Sequence, residues 1–167
     1  GTLFALDCPP GLPRAVMLHD TWRAMVDEFA ADYPDAAAFR VRCRAIAGGR
    51  EIKRRTDRET RTPFCVYNLR LYRQTYYGIR DLIAPLVRDD AARVLPMQAP
   101  QADKPLLVEA CPSTTLRTLG LRAGPYKGRD DRARTNRATV LARIIEQYAV
   151  TIPDDIAATA IADPEGD

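Results

Sequence analysis

The sequence predicts an α/β layer fold, and three observations lead there. Two apolar runs, "LFALDCPPGLP" from Leu3 and "LLVEACPSTTLRTLG" from Leu106, read as buried strands, and each ends on an acid followed by Cys-Pro. Between and after them, apolar residues recur at helical spacing. Strands that alternate with helices call for a sheet covered by helices. Only two or three strands are visible, so one sheet edge should be bare. Its partners are then missing or come from another chain.

Taken in order, Thr2 to Leu6 is broken by Asp-Cys-Pro-Pro-Gly, which fits a strand entering a turn. Asp20 is placed to cap a helix through Tyr33, with Trp22, Met25, Val26 and Phe29 on one side. Asp35 caps a second helix carrying Phe39, Cys43 and Ile46, stopped by Gly48-Gly49. "REIKRRTDRETRTP" has no apolar period and reads as a loop or flexible hairpin. Asn68 caps a third helix with Leu69, Tyr72, Tyr76, Ile79 and Ile83 on one stripe, and Pro85 kinks or ends it. Ala92 to Met97 is a short strand candidate, and Leu106 to Ala110 is the clearest strand. Ser113 starts a short helix, "RAGPYKG" turns, and a long helix runs from Asp130 or Asp131 to Tyr148. Pro153 opens the last helix.

Composition narrows the class. Of 167 residues 46% are apolar and 28% charged, which suits a globular domain and excludes a disordered chain. No apolar run approaches the roughly 20 residues that span a bilayer, so no membrane segment is expected. The first residues lack the basic and apolar regions of a secretory leader, and a cytoplasmic setting is expected. Both ends read as cut: the chain opens inside a strand and stops at "ADPEGD". Cys8, Cys43, Cys65 and Cys111 have no CxxC spacing and read as reduced thiols rather than a zinc site. His19 is the one histidine and reads as a surface or capping residue.

Asp7 and Glu109 stand at the carboxyl ends of strands, where open α/β sheets place their ligands. On parallel neighbours about 4.8 Å apart the two carboxylates would share one mouth. Uncompensated, they repel, and a hard divalent cation such as Mg²⁺ or Mn²⁺ removes that cost. Metal-assisted phosphodiester hydrolysis needs such an arrangement. Each acid taken singly also fits a turn cap. From Arg40 to Arg61 there are nine Lys/Arg and three Asp/Glu, the footprint of a polyanion site or of a solvated basic face. Arg54, Arg55, Arg58 and Arg73 are the candidate phosphate contacts. Tyr67, Tyr72, Tyr76 and Tyr77 lie among Arg70, Arg73 and Arg80, as in strand-binding proteins that stack bases, but Tyr72 and Tyr76 also fall on the apolar stripe. Lys127, in "GPYKG", is a further phosphate candidate or an exposed turn lysine; the Walker pattern is absent.

Several stretches together, "LFALDCPPGLP", "KRRTDRETRTPF", "YNLRLYRQTYYGIRDL", "VLPM", "KPLLVEACPSTTLRTLGL" and "YKG", resemble the family called domain of unknown function 429, from Leu3 to about Ile145. The resemblance implies a predicted nuclease of ribonuclease-H-like fold. It implies that Asp7 and Glu109 are catalytic acids and metal ligands on the fourth and fifth strands, and that Asp167 begins a motif supplying a third ligand. Residues 1–167 would be a single domain lacking its N-terminal strands, with 14–91 a helical insertion. The family's first strand and its acid are absent, so the isolated chain is expected to be inactive. Its expected partners are nucleic acid, and either the missing N-terminal half or a second copy at the bare sheet edge. The alternatives are a non-catalytic nucleic-acid-binding module and an actin-like nucleotide-phosphate enzyme.

Overall fold

The computed structural model describes residues 1–165 and divides into two compact units, 1–111 and 112–167. The sequence reads as a single domain; the structure packs Pro112 onward into a unit of its own.

Unit 1 holds a three-stranded parallel sheet in the order β1-β3-β2, with β1 Leu3–Leu6, β2 Arg93–Val94 and β3 Leu106–Glu109. β1 runs in register with β3, Leu3 opposite Leu106 and Leu6 opposite Glu109. β2 is shorter than the expected Ala92 to Met97. Leu95 still donates to the Leu107 carbonyl, but the chain then turns, the Gln98 N–H donating to the Val94 carbonyl, and the ladder stops there. Edge strand β1 leaves Leu3 61% and Phe4 50% exposed.

The insertion carries α1 Trp22–Asp32, α2 Ala36–Ile46, α3 Arg55–Glu59, α4 Tyr72–Tyr77 and α5 Ala84–Arg88, with a π-helical stretch Gly78–Ile83 joining the last two. Asp35 caps α2, its carboxylate accepting from the Ala38 N–H, as expected. The α1 cap is Thr21 rather than Asp20, because Asp20 is drawn instead to Arg14. The stretch expected as a loop contains α3: the Asp57 carboxylate accepts from the Arg54 N–H and nucleates one turn. Asn68 does not open α4. Its side chain takes the Arg70 N–H, regular helix begins four residues later, and Leu69 points to solvent at 65% exposure. Pro85 does not end the helix, which runs on to Arg88. It falls in the first turn of α5, where its missing N–H is tolerated.

Phe29, Tyr33, Phe39 and Tyr76 form the centre of the unit 1 core, with ring centroids 5.0–6.2 Å apart. Tyr67 is also fully buried, its hydroxyl accepting from Ile52 N–H and donating to the Arg50 carbonyl. Tyr67 and Tyr76 are therefore core residues and not surfaces for stacked bases. His19 is half-buried and hydrogen-bonded to Asp32 at 2.7 Å.

Unit 2 contains α6 Pro112–Thr118, α7 Asp131–Tyr148 and α8 Asp154–Ala162. Asp130 caps α7 through the Ala133 N–H. Arg137 is buried in this unit and donates to the carbonyls of Tyr126, Gly128 and Ile161, which ties the 124–128 turn and α8 to α7.

Candidate functional site

The parallel pairing of β1 with β3 brings the carboxyl ends of the two strands side by side. Asp7 is the first residue past β1 and Glu109 the last of β3. Because Leu6 is the partner of Glu109, Asp7 lies one residue beyond the register of the other acid. Cys8 reports on both. Its thiol is pushed up first by burial, then by the negative charges of Glu109 and Asp7. Both effects favour the thiol over the thiolate.

The corner after β1 is rigidly held. Trp22 donates its indole N–H to the Pro10 carbonyl at 2.7 Å, and Pro9, Pro10 and Gly11 are buried. A methyl group on Gly11 would lie 3.0 Å from the Met97 terminal carbon. One on Gly78, the first residue of the π-helical stretch, would lie 2.8 Å from the Cys8 sulfur. The sequence places two acids at this mouth, and the tertiary structure adds a cation. Arg54 reaches Glu109 with both ends of its fork, Nη1 to Oε2 at 2.8 Å and Nη2 to Oε1 at 2.6 Å. The same guanidinium donates from Nε to both Asp57 oxygens at 3.1 Å and from Nη2 to Oδ1 at 2.6 Å.

The Arg54 side chain is 11% exposed, that of Asp57 4% and that of Glu109 31%. Burial works against the Arg54 charge, but hydrogen bonds to Glu109 and Asp57 outweigh it and raise the pKa of the guanidinium further. The result is a carboxylate–guanidinium–carboxylate bracket that straps α3 to the end of β3. Asp57 is a site residue that the sequence patterns above do not reveal. The i, i+3 spacing of Arg54 and Asp57 is the one local signal that points to it.

The other expected site residues are dispersed. Arg55 is 83% exposed and lies 3.4 Å from Glu59, and Arg58 donates to the Lys53 carbonyl. Arg73 stands over the Tyr72 ring. Lys127 is exposed in the turn of unit 2, and Asp167 lies outside the described residues.

Among the described residues no three His, Cys, Asp or Glu side chains form a group that could hold a metal ion. A cation at Glu109 would also have to displace a bidentate arginine from a carboxylate whose charge it already neutralises. Among the described residues no helix is long and apolar enough to cross a membrane. No protein-family model, curated protein or solved structure matches the chain.

Proposed function

We propose that the chain is a nucleic-acid-binding module of ribonuclease-H-like build that holds a phosphodiester strand without cutting it. The observation that carries this reading is the state of Glu109, whose two oxygens both accept from Arg54. Metal-assisted hydrolysis requires carboxylates open to cations, and this one is closed.

Charge supports the binding half of the reading. Between Arg40 and Arg73 there are eleven Lys/Arg and three Asp/Glu. The three acids are engaged, Asp57 with Arg54, Glu59 with Arg55 and Glu51 with Asn68. Among the described residues, Arg42, Arg44, Arg58, Arg70 and Arg73 enter no ion pair. Arginines in this state exchange small counterions for backbone phosphates, and the release of those counterions drives association. A cytoplasmic setting goes with this reading.

One observation favours a second reading, a Mg²⁺- or Mn²⁺-dependent nuclease akin to domain of unknown function 429. It is the parallel β1–β3 pair, which sets Asp7 and Glu109 at neighbouring strand ends. Fluorescence anisotropy with labelled single- and double-stranded DNA and RNA, across a salt series with and without Mn²⁺, separates the two. The expected result is binding that weakens linearly in log salt, with the oligonucleotide intact in Mn²⁺. Metal-dependent cleavage, abolished by Asp7→Asn, would replace the first reading by the second. Absence of salt-dependent binding would remove both.

A further inference from the structure

Tyr72 opens α4, and two guanidiniums stand over its ring: Arg40, from α2, at 5.8 Å from the centroid and Arg73 at 5.5 Å. Arg40 is half-buried and Arg73 exposed. Among the described residues neither has a carboxylate within ion-pair distance. Arg14, Arg23, Arg54, Arg80 and Arg93 of unit 1 each pair with an Asp, whereas among the described residues Arg42, Arg44, Arg58 and Arg70 share the lack of an ion pair; what sets Arg40 and Arg73 apart is the ring they share.

Arg40 has a second peculiarity. Its Nε is fully buried and has no hydrogen-bond partner. A guanidinium retained for structure is bonded through its fork, as Arg54 is to two carboxylates and Arg137 to three carbonyls. Arg40 is held by none of these. A buried donor without an acceptor is costly. Two cations gathered at one ring also repel each other, and the cation–π contacts offset that only in part. An anion with several acceptor oxygens, met by the Nη groups rather than by the buried Nε, relieves the repulsion. Phosphate suits it better than a carboxylate, because its tetrahedral oxygens accept from donors in more than one plane. Arginine forks of this kind read phosphate rather than base edges. The contact is to backbone and independent of sequence.

We infer that Arg40 and Arg73, set by Tyr72, form a phosphate site, and that the phosphodiester backbone of a single-stranded nucleic acid is gripped there. The second half of this inference rests on the nucleic-acid reading above.

The test uses the full chain with two probes, a labelled single-stranded oligonucleotide and inorganic pyrophosphate. Arg40→Gln/Arg73→Gln should weaken oligonucleotide binding and lower the log–log salt slope by about two, one for each arginine withdrawn from a phosphate. Arg88→Gln, an exposed arginine of α5, controls for net charge and should change both far less. Because Arg40 is half-buried, a second measurement uses the unaltered chain. Pyrophosphate or oligonucleotide should protect Arg40 and Arg73 from phenylglyoxal, read residue by residue by mass spectrometry.

Protection by pyrophosphate with no oligonucleotide binding would keep the phosphate site and sink the nucleic-acid reading. Oligonucleotide binding that leaves Arg40 and Arg73 unprotected, with the double variant matching Arg88→Gln, would overturn the site and leave that reading standing. No protection and no binding by either probe would overturn both.

Discussion

Arg54 serves two acids with one guanidinium, and its backbone N–H serves the second of them again. The two carboxylates are not equivalent. Asp57 is 4% exposed and has little access to water, whereas Glu109 at 31% is partly hydrated. Removing a partner from a buried pair costs mainly because the remaining charge is stranded. Arg54→Met should therefore lower the free energy of unfolding by about 3 kcal/mol, most of it from Asp57. Glu109→Gln should cost about 1 kcal/mol, since Arg54 keeps Asp57 and water takes the place of the carboxylate. Combining Arg54→Met with Asp57→Asn should recover part of the first loss, as the stranded charge disappears. Urea denaturation of the three variants checks this. Equal losses for Arg54→Met and Glu109→Gln would mean that Glu109, not Asp57, is the partner that fixes Arg54. The same bracket separates what is legible in the sequence from what is not. Both acids at strand ends and the basic run are legible, because each is a local pattern. That Arg54 neutralises Glu109, across 55 residues, is a tertiary fact with no local signature.

Element by element, the local signals hold where chemistry is short-range. Asp35 and Asp130 cap their helices through side chains three residues from the N–H groups they satisfy, and β1 and β3 fall on their apolar runs. Helix α3 is not legible, because five residues cannot show an apolar period and their turn depends on one carboxylate. The π-helical stretch is not legible either. It begins at Gly78, where the Cys8 corner presses closest, a contact between residues 70 positions apart. Glycine inside a helix ordinarily weakens it by about 1 kcal/mol relative to alanine. Here the sign should reverse. A Cβ on Gly78 would lie 2.8 Å from the Cys8 sulfur and 3.0 Å from its Cβ, and both neighbours are held by the Trp22–Pro10 anchor and the π turn. Gly78→Ala should destabilise by about 1–3 kcal/mol, the usual cost of overpacking. Cys8→Ala in the same chain should return part of that by removing the sulfur. A thermal melt in which Gly78→Ala gains stability would show that the corner yields and that its approach to Gly78 does not set the site.

At the scale of the whole molecule, the two units differ in how well each is closed. The contiguous apolar core, from Leu12 to Leu107, lies entirely within unit 1 and contains the aromatic cluster around Phe29. Among the described residues, the apolar side chains buried in unit 2 are Leu121, Tyr126, Ala133 and Val140. Its α8 buries none, and Ile145, Tyr148, Val150 and Ile156 are 40–55% exposed. Helices of this length are marginal in water without an apolar face to pack. What orders unit 2 is largely polar, the three carbonyl bonds of Arg137 and the Gly128 N–H to Pro164 carbonyl bond. Such bonds contribute only about 1 kcal/mol each against water. A fragment of residues 1–111 should consequently melt in one cooperative transition by circular dichroism. A fragment of residues 112–167 should show weak helicity and no sigmoidal transition. The arginines from 40 to 73 all belong to the first fragment, so it should also retain the salt-dependent oligonucleotide binding of the full chain. A cooperative melt by 112–167 with loss of structure in 1–111 would reverse the assignment of which unit carries the core. Binding that moves with 112–167 would place the polyanion on Lys127 and the exposed arginines of α7, Arg132, Arg134 and Arg143, rather than on Arg40 and Arg73.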